Sequence, residues 1–342
     1  MAQRHLVGLD IGSKFIKAVQ VTETSGQYKV TEFGIAEVNP QVSIPDTINE
    51  LFSKKNFKVK RVVSAVSGRF VFVRYISMPV MSDEELVNAA KYELGKYIPV
   101  EVDEVLHDSQ KLEELAAQEG QEPEMRVLLV AAKRTFIDEH VGILEGAGLQ
   151  PSIVDVDSFA LGNAYELSGM INPQAIAAGK LVALVDIGAS KTNINIMSDS
   201  ISYFTREFYK GGDDLTDSVS KKLSLEVKEA EALKRNPGGE IEKVQDCISS
   251  VVEDICHDIN ISIDYFENQY DKKVEEVYIT GGASGTIGLQ ETLERTVQKP
   301  VQKWNPLQFL ELELPRDSQQ ELEDNPAQAA IALGLASRVR RD

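Results

Sequence analysis

Short runs of apolar and β-branched residues alternate with turn-forming residues in the first part of the chain. The pattern predicts strands over residues 6–10, 15–21 and 28–38, separated by turns rich in Gly and Ser. Because strands joined by such short turns must be antiparallel, these three strands are expected to form a meander rather than a βαβ crossover. A weakly helical segment over 46–55 and a buried strand over 62–66 follow.

Residues 70–150 carry a separate pattern of strand, helix, strand, strand and helix. Ser82, with Glu85 three positions later, has the spacing of a capping box and predicts a helix that runs to about residue 97, before Pro99. The other predicted elements are strands over 70–76, from 105 onward and over 127–132, and a helix over about 136–147. This pattern predicts a compact α+β subdomain inserted into the first half of the chain.

The second half begins, like the first, with two strands joined by a tight turn. Its predicted elements are strands over 181–186, 192–197 and 277–279, a helical region over 212–235, an amphipathic helix over 241–266 and a small-residue helix over 326–338. Two acidic stretches are predicted to be solvated: 112–124 as a helix end and loop, and 311–325 as a loop.

One motif occurs once in each half. Leu9-Asp10-Ile11-Gly12-Ser13-Lys14 and Val185-Asp186-Ile187-Gly188-Ala189-Ser190-Lys191 each end a strand in Asp-Ile-Gly and turn through small residues into a second strand. A tight turn of small residues exposes backbone N–H groups to a phosphate, with no side chain to block its approach. Additional hydroxyl or ammonium donors are available from Ser13, Lys14, Ser190, Lys191 and Thr192.

A single Asp-Ile-Gly hairpin is commonplace and is usually structural, but two copies that each open a meander favour phosphate binding. Asp10 and Asp186, at the two strand ends, are expected to face each other across a cleft. There they would hold a Mg²⁺ ion through its waters, because magnesium keeps most of its hydration shell. A third element, the strand that runs into Gly281-Gly282, would let backbone approach a base or an α-phosphate.

Composition narrows the classes of function. The 342 residues include 36 Lys and Arg against 54 Asp and Glu, a formal net charge of −18, which argues against binding nucleic acid or an anionic membrane surface. Cys247 and Cys256 match no zinc-binding spacing. No apolar run approaches the ~20 residues of a membrane span. We therefore expect a cytoplasmic protein with no nucleic-acid partner and no direct membrane insertion.

The two Asp-Ile-Gly motifs and Ile279-Thr280-Gly281-Gly282, in this order, resemble the phosphate-1, phosphate-2 and adenosine motifs of the actin, chaperone and sugar-kinase ATPase superfamily. Ala230-Glu231-Ala232-Leu233-Lys234 resembles the segment that contacts the nucleoside in the cell-division protein FtsA. The resemblance spans nearly the whole chain. It implies an α/β fold of the actin-like (ribonuclease H-like) duplicated ATPase type, with two lobes, and ATP with Mg²⁺ as the ligand.

The resemblance also implies a set of site residues. Asp10, Asp186 and Asp157 would be catalytic, with Asp10 and Asp186 holding Mg²⁺ through water and Asp157 orienting a water molecule. From the residues alone, Asp155 and Asp157 are equally interpreted as exposed positions at a strand end. Nucleotide contacts would come from Gly12, Ser13, Lys14, Lys17, Gly188, Ala189, Ser190, Lys191, Thr192, Gly211, Gly212, Glu231, Lys234, Gly281, Gly282 and Ala283.

Within the superfamily the chain is most similar to the PilM family of type IV pilus assembly proteins. The resemblance rests on Met78-Pro79-Val80-Met81, Tyr97-Ile98-Pro99, Leu128-Leu129-Val130-Ala131-Ala132-Lys133 and Ala147-Gly148-Leu149-Gln150-Pro151. It implies subdomain 1A over 1–69 and 151–180, an FtsA-type 1C insert over 70–150 that binds the partner, and a second lobe (2A and 2B) over 181–342, with the 326–338 helix packing back near the first lobe.

In that family the protein is held at the inner membrane by the N-terminal cytoplasmic tail of PilN, which docks in a groove between 1A and 1C; PilO would be an indirect partner. The strand 70–76 and the helix 84–97 are predicted to line the groove, with ordinary core packing as the alternative. A peripheral location at the inner membrane follows. The sequence of residues 336–342 does not predict an apolar amphipathic helix like the membrane anchor of FtsA.

Three functions are compatible with these motifs. The first is an ATP-binding scaffold of pilus assembly that hydrolyses ATP slowly at most. The second is an FtsA-like division protein that polymerises at the membrane. The third is a small-molecule kinase, which is disfavoured because no substrate-wrapping insert or substrate carboxylate base is evident.

Overall fold

The computed structural model describes residues 4–115 and 122–338, which divide into two compact units. The first unit comprises Met1–Ala65 with Ala147–Asp342, and the second comprises Val66–Gly146. Each unit has its own hydrophobic core.

An antiparallel meander opens the first unit. Its elements are β1 (Arg4–Ile11), β2 (Phe15–Thr24) and β3 (Gln27–Glu37), followed by α1 (Ile44–Lys54) and β4 (Arg61–Val66). β2 pairs antiparallel with both β1 and β3, which confirms the predicted meander, while β4 pairs parallel with β1. The helix α1 starts at Ser43, whose side chain accepts a hydrogen bond from the backbone of Asp46.

The second unit is a three-stranded antiparallel sheet with two helices. Its elements are β5 (Val71–Pro79), α2 (Asp83–Leu94), β6 (Val105–Leu115), β7 (Glu124–Lys133) and α3 (Arg134–Gly146), with β7 at the centre of the sheet. The capping box of Ser82 and Glu85 is present as predicted. One face of the sheet packs against α2 through Phe72, Met78, Met125, Val127 and Leu129.

Two boundaries in this unit differ from the prediction. The helix α2 ends at Leu94 rather than near residue 97. The predicted helix end and loop over 112–124 is wrong at both ends, because β6 continues to Leu115 and β7 begins at Glu124. The acidic side chains are accommodated on the ladder: Glu113 lies opposite Arg126 and pairs with it at 2.8 Å. Residues 116–121 lie outside the described residues.

The chain returns to the first unit through β8 (Gln150–Val156) and α4 (Asp157–Ile171). The remaining elements are β9 (Val182–Ile187), β10 (Thr192–Ser198), β11 (Ile201–Phe208), α5 (Gly212–Leu223), α6 (Val227–Arg235), α7 (Ile241–Tyr270), β12 (Glu276–Thr280), α8 (Leu289–Val297), β13 (Val301–Lys303), β14 (Glu311–Leu312), α9 (Arg316–Asp324) and α10 (Ala330–Ala336).

Two sheets organise the first unit. One has the order β14-β3-β2-β1-β4-β8 and the other β11-β10-β9-β12-β13. In each sheet a hairpin that carries an Asp-Ile-Gly turn pairs with a parallel strand: β4 beside β1, and β12 beside β9. The same arrangement in both sheets shows that the repeated sequence motif belongs to a structural repeat.

The predicted loop over 311–325 is wrong. Its first residues form β14, which pairs with β3, and most of the rest forms α9, which packs on β3. Ser318 and Leu322 are the buried residues of α9, and Lys55 pairs with Glu321 at 3.0 Å. The segment is acidic and only two residues of α9 are buried, so its sequence shows no clear amphipathic pattern.

Other predicted elements are present with changed bounds. The helical region 212–235 is two helices, α5 and α6, and the region 326–338 is a 3₁₀ turn at Pro326–Ala329 followed by α10. The amphipathic helix 241–266 is confirmed as α7, which extends to Tyr270. In the described residues, no helix is both long and apolar enough to span a bilayer.

The helix α10 lies against both β1 and α4. Gly8 and Gly334 make this contact possible, since a Cβ at Gly8 would overlap the carbonyl oxygen of Ala332, and a Cβ at Gly334 would overlap that of Ala160. The backbones of a strand and two helices therefore meet directly behind the first Asp-Ile-Gly turn.

Candidate functional site

The two Asp-Ile-Gly turns have the same backbone. Gly12 N–H donates to the carbonyl of Phe15 at 3.1 Å, and Gly188 N–H donates to the carbonyl of Lys191 at 2.9 Å. A Cβ at Gly12 would lie 2.8 Å from the Phe15 oxygen, so the turn requires glycine there. Both turns thus close with the same backbone hydrogen bond.

The register of the turns places their lysines differently. Lys191 occupies the position equivalent to Phe15, and Lys14 the position equivalent to Ser190. The strand-end aspartates also have different partners across their hairpins: Asp10 lies opposite Lys17, and Asp186 lies opposite Asn193. The sequence repeat therefore describes the backbone of the site and not its charges.

The two turns touch each other. Within the second half, Thr192 donates a hydrogen bond to the carbonyl of Lys210 at 2.9 Å. Between the two turns, the hydroxyl of Ser190 donates to the hydroxyl of Ser13 at 2.9 Å. This contact brings the strand ends of both sheets, and with them Asp10 and Asp186, to one place.

Three carboxylates and two ammonium groups meet there. Lys17 Nζ lies 2.6 Å from Asp10 Oδ2, and Lys191 Nζ lies 2.7 Å from Asp157 Oδ2. Asn193 donates to Asp186 at 3.4 Å. The cluster therefore carries one more negative than positive group when all five are ionised.

Burial and mutual repulsion act on these acids. Burial, followed by the charge of Asp10, raises the pKa of Asp186 to about 6. Burial is also the largest cause of the raised pKa of Asp10, and Lys17 opposes it. For Lys191, burial opposes the charged form, but the charge and hydrogen bond of Asp157 outweigh it and raise the pKa. Asp10 and Asp186 are thus like charges held close together, and a cation between them would relieve their repulsion.

The carboxylates of this cluster suit a magnesium ion that is bound through its water molecules. Among the described residues, no group of three or more His, Cys, Asp or Glu side chains is arranged to hold a metal ion directly. Two carboxylates close enough for one to raise the pKa of the other suit Mg²⁺ that retains its waters. Asp10 and Asp186 are the residues that would hold it.

Two further glycine segments dock on the second turn. Gly212 N–H donates to the Gly188 carbonyl at 2.9 Å, and Ala283 N–H donates to the Ile187 carbonyl at 2.9 Å. Gly281 has a φ of +92°, and a Cβ there would lie 2.6 Å from the Ile187 oxygen. The fold brings these predicted site residues into one cluster: Gly188, Ala189, Gly211, Gly212, Gly281 and Ala283.

The predicted residues of α6 join the same site. Lys234 Nζ lies 2.8 Å from Glu231 Oε2 and donates to the Gly212 carbonyl at 2.8 Å. Lys14, from the first turn, reaches Glu231 Oε1 at 3.1 Å. Burial opposes ionisation of Glu231, but hydrogen bonds from Lys234 and Thr216 outweigh it and hold its pKa far below the usual range. The Lys14 contact therefore links the first turn to the second half of the molecule.

Several residues of the site escaped the sequence interpretation. Thr216 donates a hydrogen bond to Glu231. Arg235 donates to Glu231 at 2.6 Å, and its guanidinium group lies 5.4 Å from the centre of the Phe15 ring. Asn193 was detectable from the hairpin register, seven positions after Asp186 as Lys17 is after Asp10. Thr216 and Arg235 carry no motif of their own.

The interpretation of Asp155 and Asp157 as exposed strand-end residues is wrong. Asp157 begins α4 and its side chain is 14% exposed, in the cluster described above. Asp155 is buried and pairs with Arg338 at 2.7 Å, where it also accepts from the backbone of Val156. Only Asp157 belongs to the candidate site.

The two segments predicted to line a partner groove both contribute to the core of the second unit. Phe72 in β5, and Leu86 and Leu94 in α2, are buried in that core. On the other side of α2, Val87 and Tyr92 are 62% and 75% exposed. Core packing therefore accounts for the inward residues of these segments and leaves the outward residues of α2 available.

A family model described as type IV pilus assembly protein PilM matches residues 8–340. The chain belongs to the PilM family. Among solved structures, it is similar to a PilM-PilN type IV pilus biogenesis complex, with a TM-score of 0.81, 26% identity and coverage of 97% of this chain and 97% of that chain. The same fold occurs in MreB5 of Spiroplasma citri bound to AMPPNP, with a TM-score of 0.50, 11% identity and coverage of 97% and 94%.

A curated relative of this PilM family member is the cell division protein FtsA of Streptococcus pneumoniae serotype 2 (strain D39 / NCTC 7466). It is 25% identical over 263 residues, which are 68% of this chain and 55% of FtsA, so the chain spans about half the length of that relative. The predicted α/β actin-like duplicated fold is confirmed by these structural likenesses.

Proposed function

We propose that this PilM family protein is an ATP-binding scaffold of type IV pilus assembly that binds the N-terminal cytoplasmic tail of a PilN protein. The nucleotide-binding part of the proposal rests on the two matched Asp-Ile-Gly turns. They are joined by the hydrogen bond between Ser13 and Ser190 and have Asp10 and Asp186 at their strand ends. Family membership and the likeness to a PilM-PilN complex support the pilus role.

In this proposal the cleft binds ATP with Mg²⁺. The N–H groups of both turns and the ammonium groups of Lys14, Lys17 and Lys191 bind phosphates. Asp10 and Asp186 hold the magnesium ion through its waters, and the ion neutralises phosphate charge when bound. Nucleoside contacts come from α6 and from the glycine segments: Gly211, Gly212, Glu231, Lys234, Gly281, Gly282 and Ala283.

The chain's own residues favour binding over turnover. Asp157 is the acid proposed to orient a water molecule, and it is held by Lys191 at 2.7 Å. An acid engaged in an ion pair is a weak acceptor for a water proton. We therefore propose at most slow hydrolysis, with the nucleotide serving to set the conformation that a partner binds.

The inserted subdomain, 70–150, is the proposed partner-binding element. Docking of a bitopic protein's tail would place this protein at the cytoplasmic face of the inner membrane. PilO would then be reached only through PilN.

Two measurements test the proposal. Calorimetry of the full chain with ATP and Mg²⁺ should show saturable binding, and its absence would remove the nucleotide assignment. A pull-down with the N-terminal cytoplasmic peptide of a PilN protein encoded beside this gene should retain the chain, whereas a scrambled peptide should not. In a second pull-down with the chain itself as bait, recovery of a tubulin-like division protein and not of the PilN protein would favour an FtsA-like role, in line with the similarity to FtsA.

A further inference from the structure

The second turn carries a lysine that its backbone does not require. The two turns close with the same hydrogen bond, from Gly12 to Phe15 in one and from Gly188 to Lys191 in the other. Phe15 and Lys191 thus occupy equivalent positions with different chemistry. An ammonium group in the second turn is explained by neither turn geometry nor the structural repeat.

Lys191 is held in a partly buried ion pair. Its Nζ lies 2.7 Å from Asp157 Oδ2 and 3.9 Å from Glu207 Oε2, and its side chain is 23% exposed. A buried ammonium is costly unless a carboxylate compensates it, and Asp157 at the start of α4 does so. The pair joins the second turn to the first residue of α4.

Lys17, a second lysine of the site, is bound differently. Lys17 lies on β2 directly opposite Asp10 and also donates to the carbonyl of Phe15 at 3.3 Å, so its own hairpin supplies its partners. Lys191 instead lies in a turn and reaches a carboxylate on another element. Of the two, Lys191 can exchange its partner without disturbing a strand ladder.

We propose that Lys191 is the residue that distinguishes a nucleoside triphosphate from a diphosphate, by exchanging its ion pair with Asp157 for one with the additional phosphate group. The inference rests on the proposed nucleotide function and deepens it. A triphosphate brings one more anionic group than a diphosphate, and a charge-assisted contact to it requires a cation beside the phosphate-binding turns. Asp157 competes for that cation and limits how fully it moves to the phosphate.

Because Asp157 competes with the phosphate for Lys191, substitution of Lys191 and substitution of Asp157 should change the ratio of ATP to ADP affinity in opposite directions. Lys191→Met removes the discriminating cation, so ATP affinity should fall roughly tenfold or more, while ADP affinity should stay within about threefold. Asp157→Asn removes the competing carboxylate, so the ratio of ATP to ADP affinity should rise. Lys191→Arg keeps the charge and should keep the preference for ATP.

The experiment is calorimetry of the full chain with ATP and with ADP, each with excess Mg²⁺, together with melting temperatures without nucleotide. Lys180→Met is the control, because Lys180 forms an exposed ion pair with Glu276 at 2.6 Å outside the site. If both cleft substitutions lower the melting temperature but leave the ATP to ADP ratio unchanged, the pair is structural and the inference is overturned.

The failure of this inference and that of the proposed function are separable. If the unmodified chain binds neither nucleotide, the proposed function fails. If it binds both, and Lys191→Met keeps the original ratio, only the role of Lys191 fails. Should Lys191→Met fold poorly, Lys191→Gln and the double variant with Asp157→Asn supply the same ratio, because the double variant leaves no unpaired charge.

Discussion

The hydroxyl of Ser190 donates a hydrogen bond of 2.9 Å to the hydroxyl of Ser13, across 177 positions of sequence. Each serine lies in the turn of an Asp-Ile-Gly motif, one in each half of the chain. The contact shows that the two motifs form a single site, so substitutions in either half should affect the same binding event.

Asp10→Asn and Asp186→Asn should each weaken binding of ATP with Mg²⁺, by roughly tenfold or more, because each removes a carboxylate proposed to hold the ion. Calorimetry with and without Mg²⁺ measures the effect, which should shrink when the ion is omitted. Asp138→Asn, an exposed position in α3, is the control. Unchanged affinity in both cleft variants would contradict the assignment of the cleft.

Gly281→Ala should lower the free energy of unfolding by about 1–3 kcal/mol and weaken nucleotide binding. The cause is a positive φ of +92° together with a Cβ that would lie 2.6 Å from the Ile187 oxygen and against Asp186. Urea unfolding measures the first effect. Gly285→Ala is the matched control in the same loop, since a Cβ there meets nothing within 4 Å. Equal stability of the two variants would disprove the close approach.

Gly334→Ala should also destabilise the protein, by about 1–3 kcal/mol, although alanine normally favours a helix. A Cβ at this position of α10 would overlap the carbonyl oxygen of Ala160 in α4. Gly142→Ala in α3 is the opposite case, because a Cβ there meets nothing within 4 Å, and should be neutral or stabilising. A gain in stability at Gly334 would show that the two helices do not pack this closely.

Glu267 should make a pH-dependent contribution to stability. Burial opposes its ionisation, but hydrogen bonds from Lys273, Lys299 and the backbone of Val274 outweigh it and lower its pKa below the usual 4.5. A lowered pKa means that the stabilisation is present above pH 4.5 and is lost as the pH falls through the folded-state pKa.

Glu267→Gln should therefore cost about 1–3 kcal/mol at pH 7, and the difference from the unmodified chain should shrink below pH 4.5. Urea unfolding from about pH 2 to pH 8 provides the measurement, because the loss occurs below pH 4.5. Glu253→Gln, an exposed position on the same helix, should show no such dependence. A constant difference across this range would refute the role of the ionised carboxylate.

The partner-binding role of the insert and the boundaries of its subdomain stay predictions from the sequence. The structure establishes a compact unit over Val66–Gly146, with the outward side of α2 carrying Val87 and Tyr92. The pull-down with a PilN peptide remains the deciding measurement for that surface.

The sequence by itself determined the features that depend on neighbours along the chain. The Asp-Ile-Gly hairpins, the capping box of Ser82 and Glu85, and the apolar spacing of α7 are local, because turn chemistry, helix caps and periodicity act over a few residues. The repeated motif, together with Ile279-Thr280-Gly281-Gly282, was therefore enough to predict the duplicated fold.

Only the tertiary structure decided what those residues contact. The pairing of Lys191 with Asp157, the contacts of Lys14 and Thr216 with Glu231, and the burial of α9 against β3 all join distant segments. Charge compensation and close packing depend on distance in space, which no periodicity along the chain encodes. For this reason the sequence predicted a loop for the acidic segment 311–325. It also predicted equivalent roles for the two lysine-containing turns, although their lysines have different partners.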